Sequence, residues 1–199
     1  MYKRLTSSLL ILMLIFPFAA QADWVLDDDA SSLGFVSVKN GAVVESHHFK
    51  SLSGVISNTG EARLIIDLDS IETLIPIRNE RMRALLFNTT EFHEAFVSIN
   101  LEMSRFNNLG SGDSLSETLK FELTISGQTV AVSVPVSITK SADKVMVSSI
   151  KPVVISAGNW GLMPGIEALR AIAGLTSITP AVPVSFALIF EQQMAAEVY

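Results

Sequence analysis

The chain has 199 residues, 49% of them hydrophobic and 17% charged, with 14 Lys+Arg against 20 Asp+Glu and no cysteine. This composition excludes an intrinsically disordered chain, a disulfide scaffold and a thiolate centre. A net charge of -6 argues against nucleic acid, whose phosphates are held by clustered Lys and Arg. What remains is an acidic, apolar-rich globular domain.

Lys3 and Arg4 precede an unbroken apolar run from Leu9 to Phe16, and Ala20-Gln21-Ala22 puts small residues where a signal peptidase reads them. The run is shorter than the roughly 20 apolar residues that span a bilayer. Residues 1–22 are therefore expected to be a signal peptide and 23–199 one exported domain, with the periplasm as its compartment.

From there the chain reads as strand after strand. Asp27-Asp28-Asp29 lacks the Gly and Glu spacing of a calcium loop and reads as a solvated turn. Asn40-Gly41 and Asn58-Thr59-Gly60 are turn signals. His47 and His48, adjacent in a strand, point to opposite faces and are not expected to share a metal. Leu64, Ile66 and Leu68 alternate with Asp67 and Asp69, and helix-forming residues then fill 77–87. Val97, Ile99, Leu101 and Met103 predict a strand through residue 103, followed by a polar loop over 107–113. Leu119 to Ile125 and Val130 to Ile138 alternate cleanly around the short turn Ser126-Gly127-Gln128, which demands antiparallel pairing. Pro135 predicts an edge or bulge in the second of these strands. Ile166, Leu169 and Ile172 form an apolar stripe on a predicted helix over 165–173, preceded by Gly158, Gly161 and Gly165. Val184, Phe186, Leu188 and Phe190 form the last strand. Each strand has one dry and one wet face, as in a sheet curled round one interior.

These residues also carry a resemblance. Trp24-Val25-Leu26-Asp27, Ser32-Leu33-Gly34-Phe35, Phe49 and Gly54-Val55-Ile56 resemble the opening of the YceI-like domain. Ile66 to Thr73, followed by Arg78-Asn79-Glu80-Arg81-Met82 and Leu86-Phe87, is similar to its central block in order and spacing. Leu123 to Gly127 and Val134-Pro135-Val136 resemble its later hairpin. Asn79 stands where the family commonly has aspartate, and His93-Glu94-Ala95 where a proline is usual. The resemblance implies an all-β, lipocalin-like antiparallel β-barrel of about eight strands with one or two short helices. It further implies a periplasmic binding protein, not an enzyme, that holds a polyisoprenoid in its lumen without a cofactor. Candidate ligands are an isoprenoid quinone, a polyprenyl phosphate or a fatty-acid-like molecule.

The dry faces name the expected lining: Phe35, Ile66, Phe87, Val97, Leu101, Phe121, Leu123, Val134, Phe186 and Leu188. Arg78 and Arg81, three apart on one helix face, either meet a ligand head group or pin the helix to Asp67, Asp69 or Glu72. Leu162, Met163, Ile166 and Leu169 are candidate gate residues, able to touch ligand or, transiently, a membrane. An enzyme in the same cavity would need an acid–base pair on dry faces that are almost purely apolar, and no Gly-x-Ser-x-Gly elbow is present. A third class is a barrel with a filled interior that binds another protein through its surface.

Overall fold

The computed structural model describes residues 22–193, so the expected signal peptide lies outside the described residues. Eleven strands make one antiparallel sheet that closes on itself. In chain order they are β1 (Ala22–Lys39), β2 (Val43–Phe49), β3 (Leu52–Ser57), β4 (Glu61–Asp67), β5 (Ile71–Glu72), β6 (Glu94–Asn100), β7 (Ser114–Ile125), β8 (Gln128–Ser141), β9 (Lys144–Ser149), β10 (Val153–Ser156) and β11 (Ala181–Gln192). The short strands continue their neighbours: β2 runs into β3, β4 into β5 and β9 into β10, which leaves a barrel of 8 staves. The first and last strands close it, pairing from Trp24↔Gln192 to Phe35↔Val184. Two short helices, α1 (Pro76–Arg81) and α2 (Met163–Ile172), complete the fold.

Turn chemistry fixes the register. Ser126 and Gly127 both have positive φ (48° and 73°), the twist that lets a two-residue turn join right-handed strands, and Ile125↔Gln128 follows directly. Hydrogen-bonded and unbonded pairs alternate from there, so Thr118↔Pro135 is an unbonded pair of the β7–β8 ladder. The missing N–H of Pro135 therefore faces β9, whose ladder ends there with the Ile150 N–H donating to the Pro135 carbonyl at 3.1 Å. Pro135 sits at a local edge of an inner strand: the β9 ladder stops there, and from Val134 back to Gln128 β8 has no strand partner on that side.

The acidic run is a bulge instead of a free turn. The β1–β11 register shifts between Asp27 and Ser32, where β1 leaves β3 and takes up β2. Asp28 Oδ1 accepts from the Leu52 N–H at 2.8 Å, satisfying a donor that the β2–β3 break leaves free.

Because the strands are antiparallel, α1 and α2 lie at one end of the barrel and residues 101–113 at the other. The helix end is built by close approach: a Cβ on Gly165 would stand 2.5 Å from the Leu85 carbonyl oxygen, so only glycine lets α2 meet the chain there. Gly165 serves packing, and Gly161 (φ 69°) ends a 3-10 turn, Ala157–Trp160. The expected helix over 77–87 is α1 followed by a wider π-helical turn, Met82–Phe87, and α2 starts earlier than expected, at Met163. At the loop end β6 stops at Asn100: the Leu101 N–H still donates in register to the Gly60 carbonyl at 2.8 Å, but the Gly60 N–H is turned to the Ser57 carbonyl at 3.0 Å, and the chain enters 3-10 geometry at Met103–Arg105. Phe106 and Leu109 of that loop pack on Val134, Val136 and Ile138.

Candidate functional site

The inward faces of the staves enclose a cavity of about 260 Å³. It runs the length of the barrel, from Leu86, Phe87, Leu162 and Ile166 at the helix end to Ile56, Ala62, Ile99, Leu101 and Leu119 towards the other. Its volume is near the lower edge of the roughly 300–1,000 Å³ of typical ligand pockets, which suits one slender chain better than a bulky ring system. Among the lining residues Arg63 alone is charged.

Alternation builds this lining. On β7 and β8 the inward residues Leu119, Phe121, Leu123 and Val134, Val136 leave Lys120, Glu122 and Ser133 outside. Every lining residue named from the sequence borders the cavity: Phe35, Ile66, Phe87, Val97, Leu101, Phe121, Leu123, Val134, Phe186 and Leu188. Leu101 does so from just beyond β6. Sequence reasoning left out Ile99, whose place in the same alternation was visible, and Arg63, which alternation puts outside.

Phe35, Phe49 and Phe87 form an aromatic row at the helix end, with ring centroids 5.7 and 6.1 Å apart. His47 lies beside Phe35 at 5.2 Å, 3% exposed, with Nε2 and Ser37 Oγ 2.9 Å apart. Burial first, then the nearby Arg78 charge, pushes His47 down to about 4, so the ring is neutral at pH 7. His48, on the opposite face of β2, is exposed.

Arg78 pins the helix to the barrel, but through none of the acids named from the sequence. Arg78 bonds Glu45 of β2 at 2.6 Å and donates to the Thr73 carbonyl at 2.5 Å. Hydrogen bonds from Arg78 and then Lys39 hold Glu45 down to about 2. The acids named from the sequence are occupied elsewhere. Asp67 accepts from the Asp69 N–H, Asp69 takes Thr89 and His93, and Glu72 takes the Leu74 N–H, Asn79 and Lys50. Arg83 donates to the Asp69 carbonyl, and Arg81 makes no ion pair among the described residues. Neither Arg78 nor Arg81 borders the cavity.

Asn79 holds this corner. Its Oδ1 accepts from the Thr73 N–H and hydroxyl at 2.9 and 2.5 Å, and its Nδ2 donates to Glu72 at 3.0 Å. An aspartate here would set a carboxylate against Glu72, so the amide is the matching partner in this chain.

The gate candidates divide. Leu162 and Ile166 are buried and border the cavity; Leu169 packs on the core, and Met163 is 38% exposed. Trp160 is buried beneath them, its indole N–H donating to the Leu123 carbonyl at 3.0 Å.

A closed antiparallel barrel around an apolar, through-running lumen defines a lipocalin-like container. The sequence profile of the YceI-like domain matches residues 24–190, and the chain belongs to that family. A polyisoprenoid-binding domain from Saccharophagus degradans, implicated in plant cell wall breakdown, is 37% identical with a TM-score of 0.85, over 87% of this chain and all of that one. BcnA of Burkholderia cenocepacia (19% identity, TM-score 0.64, 82% of this chain and 98% of that one) shares the fold. So does the YceI protein of Campylobacter jejuni (12%, 0.54, 74% and 85%). Among curated proteins none matches significantly.

Proposed function

We propose that this protein is a binding protein that holds the hydrocarbon chain of an isoprenoid or similar long-chain amphiphile in its lumen. The observation that carries the reading is the lumen itself: continuous, about 260 Å³, and aliphatic and aromatic along its length. The relative described as a polyisoprenoid-binding domain supports the same ligand class. An isoprenoid quinone, a polyprenyl phosphate and a fatty-acid-like molecule all supply such a chain. Storage, shielding or transport of that lipid in the periplasm, after removal of residues 1–22, completes the proposal.

The enzyme reading has less support. Acid–base work on the chain would need two titratable groups converging in the lumen, and no acid or histidine lines it. A filled interior would favour an interaction module, and the interior is hollow.

Native mass spectrometry of protein purified from the periplasmic fraction, followed by solvent extraction, tests the proposal. A mass increment that extracts as an apolar-chained lipid supports it, and N-terminal sequencing beginning at Asp23 supports export. A lumen that stays empty and fails to take up added geranylgeraniol overturns it. Val134→Arg, which places a charge at a fully buried inward position, should abolish retention or folding. A folded Val134→Arg protein with undiminished retention would count against the lumen.

A further inference from the structure

Most of the barrel wall exposes large apolar side chains one at a time, but at the helix end they run together. Leu74, Ile75, Pro76 and Ile77 are consecutive exposed residues between β5 and α1, and Leu74 is 83% exposed. β5 pairs β2 antiparallel at His48↔Glu72 and Phe49↔Ile71, so the chain beyond Glu72 runs back alongside the start of β2. There Val43 and Val44 are exposed as well, and Arg78 of α1 ties the two segments together through Glu45 at 2.6 Å. They make one apolar tip.

The tip is built to hold its shape. Leu74 has φ 63°, in the left-handed region that glycine or asparagine ordinarily fills. A turn alone is served better by either, whereas leucine adds strain and sets an apolar side chain in water. The backbone beneath is tied down. The Leu74 N–H donates to Glu72 Oε1 at 2.7 Å and the Thr73 N–H to Asn79 Oδ1 at 2.9 Å. The Ile75 carbonyl accepts from the Arg78 and Asn79 N–H groups at 2.9 and 3.1 Å, and Pro76 has no N–H to leave bare. Backbone groups satisfied within the loop leave water at little cost.

Charge beside the tip runs against that of the chain. Lys39 and Arg78 share the one carboxylate of Glu45, and Lys50 answers Glu72. On α1, Arg81 makes no ion pair among the described residues, and Glu80 is the acid that stands against it. The surroundings of the tip are thus cationic on a chain of net charge -6. Firmly held apolar side chains with cations beside them match an anionic phospholipid surface, whose acyl boundary takes the first and whose head groups take the second. A tip of six residues is small beside the roughly 20–30 residues a side that a protein interface uses.

We propose that Leu74–Ile77, with Val43 and Val44 beside them, form a membrane-docking surface: their side chains enter the acyl boundary of an anionic phospholipid bilayer while Arg81 meets the lipid phosphates. Docking in this way sets the helix end of the barrel against the bilayer. The surface stands whether or not the lumen reading does.

Flotation of the purified protein with vesicles tests this, using phosphatidylcholine alone and phosphatidylcholine with about 30% phosphatidylglycerol. The protein should float with the second and only weakly with the first. Leu74→Asn with Ile77→Asn should weaken partitioning about tenfold or more, by removing two apolar side chains from the lipid. Its melting temperature should hold or rise, because asparagine suits the left-handed backbone at 74. Arg81→Gln should weaken partitioning about fivefold on the anionic vesicles and leave the neutral ones unchanged. Val55→Thr, at an exposed apolar position of β3, should float like the unaltered protein. Unaltered protein that does not float with anionic vesicles, or a double variant that floats undiminished, overturns the proposal. So does a dimer in sedimentation that the double variant breaks into monomers, which would give the tip to a second copy of the chain.

Discussion

The helix end of the barrel and the β6–β7 seam of its wall are held by different means. At the helix end, side chains do the work: Leu162 and Ile166 are buried, Trp160 is tied to Leu123, and Gly165 lets α2 lie against Leu85. At the β6–β7 seam the backbone ladder is short and stops after Ser98↔Glu122. Opening the first means exposing apolar area and breaking a buried hydrogen bond, whereas the second has few backbone hydrogen bonds to break. A covering helix and a short ladder thus differ in kind: one is held by packed side chains, the other by a few backbone bonds. The gate expected at Gly158 to Gly174 is, by its packing, the more firmly held of the two.

The largest test of this contrast removes the seal. Trp160→Ala should destabilise the protein by about 3–5 kcal/mol in urea denaturation, the range for deleting a buried aromatic ring. A loss under about 1 kcal/mol would mean that the helix end is loosely held and the contrast is false.

A smaller effect separates the two places by pH. His47 sits at the helix end with its folded pKa lowered to about 4 from 6.5. The unfolded chain then binds the proton more readily between those values. Its contribution is therefore complete above pH 6.5 and is lost as pH falls towards 4, for a total on the order of 2–3 kcal/mol. Glu45, lowered to about 2 from 4.5, adds a second loss confined to lower pH, because its contribution is complete above 4.5. His47→Gln should flatten the first window and leave the second; an unchanged slope between pH 6.5 and 4 would remove His47 from the account. Hydrogen exchange at pH 5 should accordingly rise in α2 and the strands around His47 before it changes in β6 and β7.

The smallest expected effect is at the seam. Arg63→Ala and Lys120→Ala leave exposed, unpaired positions, so each should shift stability by no more than about 0.5 kcal/mol. A larger loss would show that these side chains hold the wall together and do not merely lie on its outer face.

Much of the barrel was legible in the chain because alternation and turn chemistry are local. The faces of β7 and β8 and the Ser126-Gly127 turn follow from adjacent residues, and with them the inward set from Phe121 to Val134. The departures are all non-local. Leu101 and Met103 continue the alternation, yet the strand ends because the Gly60 N–H opposite Leu101 is taken by the Ser57 carbonyl. Arg78 finds Glu45, 33 residues away, because nearer acids are taken by turns and caps. Asp28 is used by a strand break that forms only once β1 meets two partners. The seam depends on a pairing that fails to continue, and no residue of β6 or β7 signals that on its own.

Closure by the first and last strands sets the order of events when the chain folds. β1 and β11 are the most distant elements in sequence, and their pairing from Trp24↔Gln192 to Phe35↔Val184 completes the wall. Contacts of such separation form slowly, typically over milliseconds to seconds in barrels of this kind. A nascent chain stopped before Ala181 presents bare edges on β1 and β9 and a curved apolar trough, the surfaces most prone to pair with another chain. For that interval β11 acts as the molecule's own chaperone, and a lipid lying along the trough would be enclosed as it zips shut.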